Sequence, residues 1–157
     1  LVDRLREAKQ WTDLHTDQLS QAALLRFAES GRLEAHRRRM VAAGGERLAA
    51  AVAACERFLP RGSRFTRPKG GMNLWVRLPE PLDAANLLAA AQRDGVAYSP
   101  GRYFEVHRRE PGALRLSFAG VVPGQISEGI AILGRIFTKE LEQRGTARRP
   151  EPAPVMV

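Results

Sequence analysis

Apolar residues along the chain recur first with a period near 3.6 and later with a period near 2. Leu1 to about Gln10 reads as the end of a helix, and Trp11 to about Asp17 as a polar turn. Asp17 is placed to cap a helix running from about Gln18 to Ser30, with Gly31 closing it. From about Arg32 to Leu59 a long helix follows. Leu33, Met40, Gly44, Leu48, Val52, Cys55 and Leu59 form its stripe, and Gly44-Gly45 predicts close packing or a bend.

Beyond Pro60 the pattern turns strand-like. Arg64–Arg67 predicts a short strand. In Asn73–Leu78 the residues Leu74, Val76 and Leu78 share one face, with Asn73, Trp75 and Arg77 on the other. Asp83 caps a helix to about Arg93, and Gly95 ends it. Val96–Tyr98 predicts a strand and Ser99-Pro100-Gly101 a turn. Ala113–Phe118 alternates again, with Leu114, Leu116 and Phe118 facing one way and Arg115 and Ser117 the other. Pro123 suits the first turn of a last helix with the stripe Ile126, Ile130, Leu133, Phe137 and Leu141. The whole is an α+β pattern, a small sheet covered by helices on one face.

Composition narrows the function classes. The net charge is +8, from 25 Lys and Arg against 17 Asp and Glu. The arginines are spread over helices and tail without interleaved aromatics, which disfavours direct nucleic-acid binding by this segment. A single cysteine, Cys55, excludes an internal disulfide, and its place on a helical stripe predicts a small core residue. His15, His36 and His107 have no zinc-ligand spacing, so no metal is expected. No apolar run reaches the roughly 20 residues of a membrane helix, and no signal peptide opens the chain. Cytoplasm is the default location. The chain opens Leu1-Val2 without an initiator Met, which suggests a piece of something longer.

Three places could carry chemistry. Arg115 projects from a strand, away from the core. A strand fixes a guanidinium's direction, and its planar fork makes paired charge-assisted bonds to a carboxylate. Spacing alone leaves the plainer alternative of a solvated arginine in front. Lys69-Gly70-Gly71-Met72 is a structural turn before it is a phosphate cradle, since no helix start follows. The aromatics of Tyr98-Ser99-Pro100-Gly101-Arg102-Tyr103-Phe104 either line a site or pack beneath a loop.

These segments together resemble a family. Pro68-Lys69-Gly70-Gly71-Met72-Asn73-Leu74-Trp75-Val76-Arg77-Leu78-Pro79 resembles the P-x-G-G-x-x-x-W-x-x-L-P start of the small domain of fold-type I aminotransferases. Gly95 to Phe104 is similar to their G-V-x-x-x-P-G-x-x-F segment, and Leu114-Arg115-Leu116-Ser117-Phe118-Ala119 to their L-R-L-x-F-A strand. The three occur in family order and spacing, over about residues 1 to 143. Thr12 to Leu24, Phe27, Gly31 and His36 to Met40 are further similar to the MocR/PdxR branch of the GntR transcriptional regulators, and also to aminoadipate-type and kynurenine-type aminotransferases.

The resemblance implies a fold-type I protein that uses pyridoxal 5'-phosphate (PLP). Residues 1–31 would be the C-terminal end of the large-domain and linker helices. Residues 32–143 would be the small C-terminal domain with its lead-in helix, and 144–157 a disordered tail. Arg115 would bind the α-carboxylate of an amino acid or PLP adduct, and the turn holding Thr16 and Gln18 would approach the partner subunit's site in a homodimer. The lysine that holds PLP lies upstream in the family. Lys9, Lys69 and Lys139 do not match it, so this segment alone is expected to have no catalytic residue and no transaminase activity. Apolar surface meant for the large domain would be uncovered and favour self-association. The first expectation for the full protein is a GntR/MocR-type regulator that senses PLP or an amino-acid adduct and binds DNA through a module outside this segment. The alternative is an aminotransferase moving an amino group from an α-amino acid to a 2-oxo acid.

Overall fold

The computed structural model describes residues 1–13, 15–106 and 110–147. His107 and residues 148–157, most of the expected tail, lie outside the described residues. Backbone contacts divide the chain into two units, Leu1–Ala42 and Ala43–Val157, and the division falls within one long helix.

The first unit is helical. It holds α1 (Val2–Asp13), α2 (Gln18–Glu29) and the start of α3 (Arg32–Phe58). The first helix runs three residues past its expected end at Gln10. Lys9 Nζ reaches both Asp13 oxygens at 2.8 and 2.6 Å, and Thr12 Oγ1 donates to Ala8 O at 2.8 Å, so the polar residues extend the last turn. Asp17 caps α2 as expected, its carboxylate accepting from the Ser20 N–H at 2.7 Å. Hydrogen bonding from the Ser20 side chain, and then from its N–H, holds the Asp17 carboxyl below its ordinary pKa. Gly31 joins α2 to α3 with φ +74°, a conformation that strains any residue with a Cβ. Nothing in α1 or α2 is buried, and Leu33 and Met40 of the expected α3 stripe are exposed. The expected long helix runs unbroken through Gly44-Gly45, and a Cβ at either glycine would meet nothing within 4 Å. The pair therefore marks no close packing within this segment.

The second unit carries the sheet. Its strands are β1 (Arg64–Phe65), β2 (Asn73–Arg77), β3 (Ser99–Pro100) and β4 (Ala113–Ser117), in spatial order β1-β2-β4-β3 and all antiparallel. Two helices complete it: α4 (Ala84–Arg93) and α5 (Pro123–Ala147). The alternation does what its period requires. Leu74, Val76, Leu114 and Leu116 are buried on one face, in a cluster with Ala51, Ala54 and Cys55 of α3, Leu87 and Ala91 of α4, and Ile130, Leu133 and Phe137 of α5. Trp75 and Arg115 stand on the other face, so the helices cover one side of the sheet.

Two expectations need correction. Val96–Tyr98 is not a strand. Val96 N–H donates to Ala91 O at 2.9 Å and Gly95 N–H to Gln92 O at 3.1 Å, with Gly95 at φ +82°, so this stretch closes α4. The strand comes one step later, at Ser99–Pro100, where a turn was expected. Pro100 lacks an N–H, which an edge strand tolerates. The expected tail is also helical at its start, because α5 runs to Ala147 with Arg144 Nε paired to Glu140 at 2.6 Å.

Candidate functional site

Arg115 sits in the middle of β4, directly opposite Trp75 of β2 and Ser99 of β3. The two core-facing leucines beside it fix its direction. Its guanidinium carbon lies over the Phe104 ring, 4.6 Å from the centroid. Phe104 in turn meets Trp75 edge to face, with ring centroids 5.8 Å apart and planes at 77°. Arginine, phenylalanine and tryptophan thus form one cluster on the open face of the sheet.

Glycine sets the approach of Phe104. Gly101 opens a short 3-10 turn, Gly101–Tyr103, and lies against β4 so closely that a Cβ would come 2.6 Å from Ala113 Cβ and 2.9 Å from Ala113 O. Phe104 N–H closes the turn on Gly101 O at 2.8 Å. The Pro-Gly-x-x-Phe spacing therefore places the aromatic ring over the arginine two residues beyond Ala113. Sequence reasoning left open whether the aromatics of Tyr98–Phe104 line a site or pack under a loop, and did not join Phe104 or Trp75 to Arg115. The signal was present in the shared outer face of Trp75 and Arg115 and in the Pro-Gly turn just before the aromatic.

The electrostatics of this face are uneven. Arg77, also on β2, is held by Glu110 through a fork of bonds, Nε–Oε2 at 2.8 Å and Nη2–Oε1 at 3.2 Å. Arg115 has no hydrogen bond or ion pair among the described residues, and its Nε is buried without a partner. A guanidinium cannot shed its proton, so withdrawing it from water without an anion is costly. An arrangement that keeps such a group partly buried and unpaired suits an incoming carboxylate.

Thr16 and Gln18 belong to the first unit. Thr16 O accepts from Gln21 Nε2 at 2.9 Å, and Gln18 is the first residue of α2; both are exposed. Gly71 takes φ +88° in the exposed turn before β2, so the Lys69–Met72 stretch is a turn that needs glycine. A groove of about 470 Å³ lies between α5, residues 94–97 and the end of β4, on the helical side away from Arg115. No group of three His, Cys, Asp or Glu side chains among the described residues is placed to hold a metal, and no described helix is long and apolar enough to cross a membrane.

A family model, aminotransferase class I and II, matches residues 4–133. This chain belongs to that family. Aminotransferases of this class depend on PLP. The chain is 36% identical to aromatic-amino-acid aminotransferase 1 of Thermococcus litoralis over 142 residues, 90% of this chain and 34% of the relative. It is 34% identical to the probable rhizopine catabolism regulatory protein MocR of Rhizobium meliloti over 138 residues, 87% of this chain and 28% of that one. Among solved structures it resembles LysN, the α-aminoadipate aminotransferase of Thermus thermophilus, complexed with N-(5'-phosphopyridoxyl)-L-leucine. There the TM-score is 0.73 and the identity 38%, over 90% of this chain and 36% of that one. The chain therefore spans about a third of the length of the proteins it matches. Aminotransferases and regulators both figure in this aminotransferase-like kinship, and it does not single out the MocR branch.

The donor set fits one end of a PLP–amino-acid ligand. Arg115 offers a carboxylate fork. Of the two lysines in the second unit, Lys69 is on the exposed turn and Lys139 is on α5, on the helical side of the sheet. The described residues of the second unit thus suit the amino-acid end of such a ligand and do not supply a lysine beside Arg115.

Proposed function

We propose that this segment supplies the carboxylate-binding wall of an amino-acid site in a PLP-dependent protein, with Arg115 as the group that holds the α-carboxylate. One observation carries the reading: a partly buried, strand-mounted guanidinium set on an aromatic ring, with no acceptor among the described residues. PLP, when bound, supplies an electron sink for the α-carbon of the amino acid. The chain's own part is binding and orientation. The Arg115 fork grips the carboxylate in its plane, which fixes the direction of the bonds at the α-carbon. The Phe104 ring covers one face of the guanidinium, and Trp75 meets that ring edge-on.

For the complete protein we favour an aminotransferase that moves an amino group from an α-amino acid to a 2-oxo acid. The 36% identity to an aromatic-amino-acid aminotransferase supports it. The regulator expected first from the sequence remains the second reading, supported by the 34% match to MocR. In that case the same site senses an amino acid or PLP adduct, and a DNA-binding module outside this segment carries the response. In either case the protein acts as a homodimer, with the turn of Thr16 and Gln18 near the partner subunit's site.

The test is titration of the complete, PLP-loaded protein with L-leucine. Arg115→Ala is expected to weaken leucine binding about 10- to 100-fold, the worth of a charge-assisted pair, while PLP affinity stays unchanged. Equal loss of both would sink the assignment. Release of a 2-oxo acid from a bound amino acid separates the enzyme from the regulator, which would bind and not turn over.

A further inference from the structure

We propose that Phe104 is a positioning residue for Arg115, holding the guanidinium at the angle and depth at which its free donors meet a carboxylate. The inference rests on the carboxylate reading of Arg115 and goes beyond it. An arginine side chain has many rotamers, and ordering it without a partner costs conformational entropy. Nothing among the described residues ties Arg115 by a hydrogen bond, so something else must hold it.

The only aromatic face set against its guanidinium among the described residues is Phe104, at 4.6 Å. A cation over a ring face is attracted by the negative face of the ring, more strongly the less water reaches it. The contact uses the face of the guanidinium and none of its N–H groups, so the donors stay free for a ligand. A salt bridge would hold the side chain equally well but would consume the fork, as Glu110 does for Arg77.

The ring is itself fixed from two sides. Trp75 meets it edge-on, from the strand position directly opposite Arg115. The 3-10 turn that carries Phe104 is seated on Ala113, two residues before Arg115, where only glycine fits at position 101. The backbone of β4 thus sets both the base of the arginine and the seat of the ring that holds its tip. This gives the Pro100-Gly101 turn a purpose in the site as well as in the fold.

The experiment compares two probes on the complete protein: N-(5'-phosphopyridoxyl)-L-leucine and the same adduct lacking its carboxyl group. The ratio of their affinities reads the carboxylate contact alone. Phe104→Leu is expected to reduce that ratio about fivefold, equivalent to about 1 kcal/mol, with the decarboxylated probe bound as before. Phe104→Tyr, which keeps the ring, is expected to keep the ratio. A Phe104→Leu protein with the wild-type ratio, or one that binds both probes equally more weakly, overturns the positioning role. So does a Phe104→Tyr protein that loses the ratio as Phe104→Leu does. Arg115→Ala is the reference. If it leaves the ratio unchanged, the carboxylate reading fails; if it removes the ratio and Phe104→Leu does not, only the role of Phe104 fails.

Discussion

Gly101 packs on Ala113 with no room for a methyl group between them: a Cβ on the glycine would stand 2.6 Å from the alanine's Cβ and 2.9 Å from its carbonyl oxygen. Part of that clash is with the backbone of β4, an inner strand of the sheet, which cannot swing aside. Gly101→Ala is therefore expected to destabilise the protein by about 2 kcal/mol and lower Tm by several degrees. Adding Ala113→Gly should recover only part, because the carbonyl oxygen remains in the way. Thermal unfolding of the two variants checks this, and full recovery would show that the close approach is between side chains alone.

Much of this was legible in the chain because period and burial agree. Leu74, Val76, Leu114 and Leu116 alternate with Trp75 and Arg115, and a two-residue period admits only one assignment of faces once the leucines go inward. Asp83 and Asp17 announced their helices because a short acidic side chain at that position satisfies free N–H groups, as the bonds to Ala85, Asn86 and Ser20 bear out. Val96–Tyr98 misled because β-branched and aromatic residues look strand-like, while the backbone of Gly95 and Val96 was already committed to capping α4. The stripe of α3 misled at its start for another reason. Leu33 and Met40 have helical spacing, but spacing says nothing about whether a partner is present, and both are exposed here. The role of Phe104 stayed open because its relation to Arg115 is set by a turn seated on another strand, a contact no local pattern encodes.

Two glycines of α5 should respond oppositely to the same substitution. In a helix interior alanine is favoured over glycine by about 1 kcal/mol. At Gly129 a Cβ would meet only Val96 methyls, at 3.8 and 3.9 Å, which is ordinary contact. Gly129→Ala is thus expected to stabilise by up to about 1 kcal/mol. At Gly134 a Cβ would run into the carbonyl oxygen of Phe58, with its carbon at 2.9 Å, where α5 meets the end of α3. The strain of overpacking there, about 1–3 kcal/mol, should exceed the helical gain and leave Gly134→Ala destabilised. Denaturant unfolding of both variants measures the two signs, and a stabilised Gly134→Ala would mean that the two helices can part at little cost.

Cys55 offers a pH dependence with a definite sign. Burial, aided by the neighbouring Glu56, pushes its thiol from the ordinary 9.0 up to about 12. At pH 8 roughly one native molecule in ten thousand would carry the thiolate, against about one in ten for the unfolded chain. A thiol reagent is therefore expected to label Cys55 only as fast as the core opens, and denaturant should speed labelling steeply. The linkage runs the same way. Between about pH 9 and 12 the unfolded chain releases a proton that the folded chain keeps, so stability falls as pH rises through that window. Tyr98, buried with its hydroxyl donating to Ala84 O at 2.6 Å, is also raised and adds a loss of the same sign at higher pH. Cys55→Ala should lower stability at every pH through the lost packing but flatten the decline that begins near pH 9. An unchanged slope in that variant would assign the decline to Tyr98 and other groups, and rapid labelling of the native protein at about pH 8 would contradict the burial of Cys55 in the core.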